Sequence, residues 1–257
     1  MTIVMQPAPE DDWVAQIGDT EIATEAMALW RKAGGKSGRA PLDYVGEATQ
    51  NVGIRRVMEG FVSLGENCEF GFAQRAYGAE PLDLLRWAST PLHVLVALLN
   101  ARFEGIDTPD AIKVRAGGPE YMVDHTRYKY SWHAFAKVDA VTAEEVHRRE
   151  CLRLRRLAEK MRDDLAEGRR IFTLKGPKVQ DAASVAPVVE AMRTYGQPTL
   201  LFVTLVQPTH NPGDVVQISD HLLHGFISRF SDPARVPGTT LVDEWRTICT
   251  TAKRICG

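Results

Sequence analysis

The stretch Arg170-Ile-Phe-Thr-Leu174, followed by Ala182 to Tyr195 and then Thr199-Leu-Leu-Phe-Val-Thr-Leu-Val206, decides the fold. The first piece is short, apolar and β-branched, which suits a strand. The second carries apolar residues at helical spacing and is closed by Gly196, a residue suited to ending a helix. The third is almost continuously apolar, as expected of a strand buried on both faces. Strand, helix and buried strand make a βαβ unit, and such units place their two strands parallel with the helix crossing over the sheet. The reading is therefore an α/β protein, a mixed sheet with a parallel βαβ unit at about 170–206, flanked by helices.

Working outward, the long segment from Thr142 to about Glu167 opens on Thr142-Ala-Glu-Glu145, a capping-box pattern, and runs on with Leu154, Leu157, Met161 and Leu165 as its apolar stripe. Arg148, Arg149, Arg153, Arg155 and Arg156 crowd the remainder of that helix, and a solvated face is favoured for them over an anion site. Between Ile112 and Val138 the aromatic and β-rich residues Tyr121, Tyr128, Tyr130, Trp132 and Phe135 predict two short antiparallel strands. Pro91 to Phe103 reads as a helix with proline in its first turn, and Thr240 to Ile255 as a last amphipathic helix.

The N-terminal part reads differently. Ile22, Ala26, Met27 and Trp30 recur at helical spacing from Thr20 to Lys32, and Gly34-Gly-Lys-Ser-Gly38 breaks that helix. The Gly-Lys-Ser within it lacks both the leading glycine and the preceding strand of a phosphate-binding loop, so a flexible linker is expected. Residues 1–17 and 33–42 offer little periodic apolar surface and are expected to be the least ordered. The division expected is an extension with one short helix at 1–42 and a single α/β domain at 43–257.

With 44% apolar and 25% charged residues, the composition is that of a globular protein. Lys and Arg number 31 against 33 Asp and Glu, a net charge of −2, so no global basic field exists to gather nucleic acid. The four cysteines, at 68, 151, 249 and 256, form neither a CxxC pair nor a metal-binding spacing with histidine, and are expected to be reduced thiols. No signal-peptide pattern opens the sequence and no apolar run approaches a membrane span, which gives a cytoplasmic expectation. His221 and His224 lie beside Asp220 at a spacing that would share one helix face, but a third ligand is missing. No metal and no cofactor is expected.

The most chemically loaded segment is Ser63-Leu-Gly-Glu-Asn-Cys68-Glu-Phe-Gly-Phe-Ala-Gln-Arg75. A strand from Phe61 that ends at Gly65, with a helix from about Asn67 to Tyr77, sets Cys68 in the first helical turn. Unpaired N–H groups and the helix dipole favour a thiolate there. Asn67 suits an N-cap, and glycine permits the sharp turn. Strand, tight turn and nucleophile at a helix start is an arrangement used by several nucleophilic enzymes. A packed, inert cysteine is the plainer alternative.

This segment, with Gln74-Arg75, Gly78, Pro81-Leu-Asp83 and Arg86-Trp87 after it, resembles a bacterial family of papain-like cysteine peptidases, the domain of unknown function 1796. The resemblance covers roughly residues 60 to 175. Leu82 and Leu84 depart from the family's Phe and Trp. It implies Cys68 as nucleophile and His133, within Tyr130-Ser-Trp-His-Ala-Phe135, as its base and later acid, with Asp83 or Asp139 orienting the imidazole. The oxyanion would be held by the Cys68 backbone N–H and the Asn67 side chain. Asn67, Gln74, Arg75, Arg86, Trp87 and His125 are the candidate substrate-binding residues, with His125 as reserve partner for the thiol. The function expected is a cysteine hydrolase or acyl/peptidyl transferase acting on a small-molecule, peptide or glycan substrate. The alternatives are a glycan-biosynthesis enzyme that binds a nucleotide sugar on the βαβ unit, and a non-catalytic binding module.

Overall fold

The computed structural model describes residues 14, 15, 17–35, 40–176, 181–231 and 238–257. The expectations for residues 1–13 and for Lys36 to Arg39, including the lysine of the Gly-Lys-Ser run, lie outside the described residues. The chain forms two compact units, the first ending at Arg56.

In the first unit, helix α1 (Thr20–Lys32) is capped by Asp19, whose carboxylate accepts from the Glu21 and Ile22 N–H groups. A second helix, α2 (Val45–Glu59), carries Arg55 and Arg56, which pair with Glu21, Glu25 and Asp19. The sequence pattern did not single out α2, because its apolar residues are few and it contains two glycines.

The second unit, Val57–Gly257, is built on two sheets. The larger contains β1 (Phe61–Ser63), β6 (Ile171–Lys175), β7 (Thr199–Leu205), β9 (Leu222–Ile227) and β8 (Val215–Ser219), in that spatial order. The pairs β1–β6, β6–β7 and β7–β9 are parallel, and the edge strand β8 is antiparallel to β9. The expected βαβ unit is present, with helix α6 (Ala186–Arg193) between β6 and β7. The smaller sheet is antiparallel, ordered β2 (Ala88–Ser89), β5 (Tyr130–Lys137), β4 (Glu120–His125) and β3 (Ile112–Ala116). The aromatic segment thus yields three strands rather than the two expected, since Ile112–Ala116 also pairs along β4.

The alternation on β5 explains the core. Tyr130, Trp132, Ala134 and Ala136 point inward, while His133 and Phe135 point to the other face. Against the inward face lies α5 (Ala143–Glu167), whose capping box joins Thr142 and Glu145 as its sequence predicts. Val146, Leu154, Leu157 and Met161 of α5 share one apolar core with Phe172, Leu174, Leu200 and Phe202 of the parallel sheet, and with α4 (Leu92–Asn100) and α6. The opposite face of the parallel sheet is covered by α3 (Glu69–Ala76) and α7 (Val242–Ile255), through the ring contacts Phe61–Phe70 and Phe70–Trp245.

One expectation is corrected here. His221 and His224 do not share a helix face: His221 sits in the β8–β9 turn and His224 inside strand β9. The run Leu-Leu-His-Gly-Phe-Ile is buried throughout and satisfies its backbone against two neighbouring strands, which outweighs any local helical spacing. His224 instead bonds Thr204 Oγ1 through Nε2 at 2.7 Å and stacks on Phe202. Among the described residues, no group of three or more His, Cys, Asp or Glu side chains is placed to hold a metal ion, and no helix is long and apolar enough to cross a membrane.

Candidate active site

The chain leaves β1 toward α3 on one face of the parallel sheet and leaves β6 toward α6 on the other. Neighbouring parallel strands whose connections part in this way open a crevice at their carboxyl ends, the usual ligand position in open α/β sheets. Gly65 and Glu66 make the turn out of β1 with φ of 88° and 77°. A Cβ on Gly65 would lie 2.9 Å from Thr90 Oγ1, so both the backbone angle and the space require glycine. Glu66 is the strained member of the pair, since a left-handed conformation costs a non-glycine residue about 1–2 kcal/mol.

Cys68 follows as the N-cap of α3. Asn67 completes the cap: its Oδ1 accepts from the Glu69 N–H at 2.8 Å, and its Nδ2 donates to the Ser231 carbonyl. Asn67 therefore holds the helix start, and one of its two Nδ2 hydrogens is committed to the Ser231 carbonyl. The Cys68 thiol is 6% exposed and donates to the Trp87 carbonyl at 3.5 Å. The helix face below it, Gly71, Phe72 and Arg75, lies on the Trp87 ring. Phe72 meets that ring edge-on, the Arg75 guanidinium stacks 4.4 Å from its centroid, and any Cβ on Gly71 would collide with it.

Beside Cys68, the Glu69 carboxylate is fully buried, with Oε2 accepting from Lys175 Nζ at 2.7 Å and Oε1 from Trp245 Nε1 at 3.3 Å. Lys175, the last residue of β6, also approaches Glu66 at 3.3 Å. Sequence reasoning missed this pair. Its one signal is a lysine ending an otherwise apolar strand.

His133 approaches the same point from the antiparallel sheet. Its backbone N–H donates to the Trp87 carbonyl at 3.4 Å, the carbonyl that also holds the Cys68 thiol. Its Nδ1 lies 2.6 Å from Glu120 Oε1. Glu120 is therefore the carboxylate that orients this imidazole, and the expected Asp83 and Asp139 are not. Asp83 is buried and accepts from Arg170 and from Lys160, which neutralises it. Asp139 sits exposed in the turn after β5. The β4–β5 hairpin sets Glu120 on the face of His133, a pairing visible only once strand register is known. Among the described residues no hydrogen bond joins Cys68 to His133.

The remaining candidates separate into two groups. Gln74 is buried and donates to the Met58 and Phe61 carbonyls, and Arg86 is buried with Nη2 donating to the Gly71 and Ala79 carbonyls. Burial lowers the Arg86 pKa against the opposing pull of Glu80. Both residues hold backbone turns together. His125 is also interior, with Nε2 on the Ile106 carbonyl and Nδ1 accepting from the Tyr128 N–H, and burial lowers its pKa. It is not a partner for the thiol. Trp87 and His133 line an open cleft of about 270 Å³ together with Arg86, Leu82, Phe135, Arg149 and Arg153. Arg148, Arg149, Arg155 and Arg156 are exposed, as expected of a solvated helix face, and Arg149 and Arg153 also border this concave surface. No protein-family model matches the chain, and no curated protein or solved structure matches it either.

Proposed function

We propose that the chain is a cysteine hydrolase or acyl transferase in which Cys68 is the nucleophile and His133, held by Glu120, is the general base. The observation that carries this reading is the convergence on one backbone oxygen. The thiol at the start of α3 and the backbone N–H of His133 both donate to the Trp87 carbonyl, at 3.5 and 3.4 Å. A Glu-bound imidazole supplies the orienting partner that such a pair requires.

The chemistry then runs in two steps. His133 takes the thiol proton and the Cys68 sulfur attacks an acyl carbon. The tetrahedral oxyanion forms at the positive end of α3. His133 returns the proton to the departing amine or alcohol, leaving a thioester on Cys68. In the second step His133 takes a proton from water, or from an acceptor nucleophile, which displaces the sulfur. Attack requires the thiol to exchange its bond with the Trp87 carbonyl for one with the imidazole.

A second reading is favoured by one observation, the 6% exposure of Cys68 and its bond to a main-chain carbonyl, which together suit a packed thiol. Hydrolysis of a p-nitrophenyl acyl ester separates the two. In the hydrolase reading, Cys68→Ser and His133→Ala each lower kcat by at least about 100-fold, the usual scale for a nucleophile or general base, with the melting temperature nearly unchanged. Equal rates for wild type and both variants, with a large stability loss in Cys68→Ser, make Cys68 a packing residue.

A further inference from the structure

The cleft beside His133 is unusual in how it distributes charge. Glu150 is buried, and its Oε2 accepts from Trp132 Nε1 at 2.9 Å and from Arg153 Nη1 at 3.0 Å, while Arg149 Nε lies 3.5 Å from Oε1. Two guanidiniums therefore share one carboxylate. Arg86, also in the lining, shares Glu80 with Arg75. Asp83 is neutralised by Arg170 and Lys160, and His133 faces Glu120. Within the lining, Arg86, Arg149 and Arg153 are matched by Glu80, Asp83 and Glu150, so the charges balance and what the cleft offers a ligand is unused donor capacity. Among the described residues, Arg149 Nη1 and Arg153 Nη2 have no protein partner, so planar donors remain for a ligand.

Of the apolar lining, Leu82 and Phe135 are exposed, whereas Trp87, Ala134 and Leu157 form a buried floor. Leu82 is 74% exposed and Phe135 47%. Phe135 holds a φ of 50° at the cleft mouth, an outlier for a bulky residue and a kind of strain that clusters at functional positions. Its ring meets Trp87 edge-on at 5.0 Å.

We infer that this cleft binds the free carboxylate of a peptide or acyl-amino acid whose terminal residue is apolar. Arg149 and Arg153 would take the carboxylate, and the Leu82, Trp87 and Phe135 surface would take the side chain. Guanidinium forks match a planar carboxylate, whereas a bare phosphate would leave the apolar wall unused. The volume, about 270 Å³, suits one or two residues. The inference deepens the hydrolase reading by naming its substrate class, and it rests on that reading for the use of the acyl group next to His133.

The test is equilibrium binding by calorimetry to the intact chain, using N-acetyl-phenylalanine, N-acetyl-phenylalaninamide and inorganic phosphate as probes. The expected result is binding of the acid, with the amide about tenfold weaker, the scale of one charge-assisted hydrogen bond. Arg149→Ala should weaken the acid by a similar factor and leave the amide unchanged. Arg149 is half exposed, so the variant folds; Arg153→Lys keeps the charge beside Glu150 and should weaken the acid through loss of the planar fork. Cys68→Ser should bind the acid like wild type. Binding is thereby read apart from turnover, and failure of the thiol chemistry does not erase it. The inference is overturned if neither organic probe binds, if acid and amide bind equally, if phosphate binds as tightly as the acid, or if both arginine variants bind the acid as wild type does.

Discussion

At the carboxyl edge of the parallel sheet, Lys175 and Glu69 are sealed from water, with side-chain exposures of 3% and 0%, and face each other at 2.7 Å. In the cleft beside the antiparallel sheet, Arg149 is 51% exposed and Arg153 26%, and they share a carboxylate that is itself buried. The two regions use charge in opposite ways. The first is enclosed, with one buried lysine tying Glu69 of the helix to Glu66 of the turn, so it fixes the geometry that presents Cys68. The second is open and left with donors to spare, so it can meet a ligand. Burial separates a charge that positions from a charge that binds.

The largest expected effect breaks the enclosed pair. Lys175→Met should cost about 3–5 kcal/mol in urea unfolding, because it strands Glu69 without a counter-ion in the interior. Arg149→Ala should change stability by no more than about 0.5 kcal/mol, as for an exposed ion pair. Similar losses for the two variants would erase the contrast between the regions.

A smaller effect concerns the sheet on which the enclosed pair stands. Burial holds the His224 imidazole down at about 4, against 6.5 for an ordinary histidine. As pH falls, the unfolded chain takes up this proton first. The stability contributed by neutral His224 is therefore complete above about 6.5 and lost between about 6.5 and about 4, a loss of up to about 3 kcal/mol. Urea midpoints at pH 7 and pH 4.5 should fall further apart for wild type than for His224→Phe. An identical drop in both would place the imidazole in water.

These regions were not equally legible. The parallel sheet announces itself in the run Thr199-Leu-Leu-Phe-Val-Thr-Leu, because a strand buried on both faces must be apolar throughout. Cys68 was also legible, since strand, glycine, asparagine and cysteine is a local order whose geometry is set within a few residues. His133 was singled out only through the family resemblance, and its hydrogen-bond partner Glu120 was not foreseen, because the pairing depends on a hairpin register with a bulge between Glu120 and Met122. The His221–His224 spacing misled for the related reason that an i, i+3 pattern has no meaning until helix and strand are distinguished. Glu69 and Lys175 lie 106 residues apart in the chain, and only the parallel pairing of β1 with β6 brings them together.

If Cys68 is a nucleophile served by His133, the imidazole must set the pH dependence of Cys68 alkylation. The intact protein would be treated with iodoacetamide across pH 5 to 10 and each cysteine followed by peptide mass spectrometry. Cys256, whose thiol burial pushes up, and Cys151, pushed up likewise, serve as internal references. Cys68 is expected to react with a midpoint below that of an ordinary thiol, about 8.5, and His133→Ala and Glu120→Gln are expected to raise this midpoint. A Cys68 that stays unmodified until the protein unfolds, or that reacts identically in wild type and His133→Ala, would contradict that role.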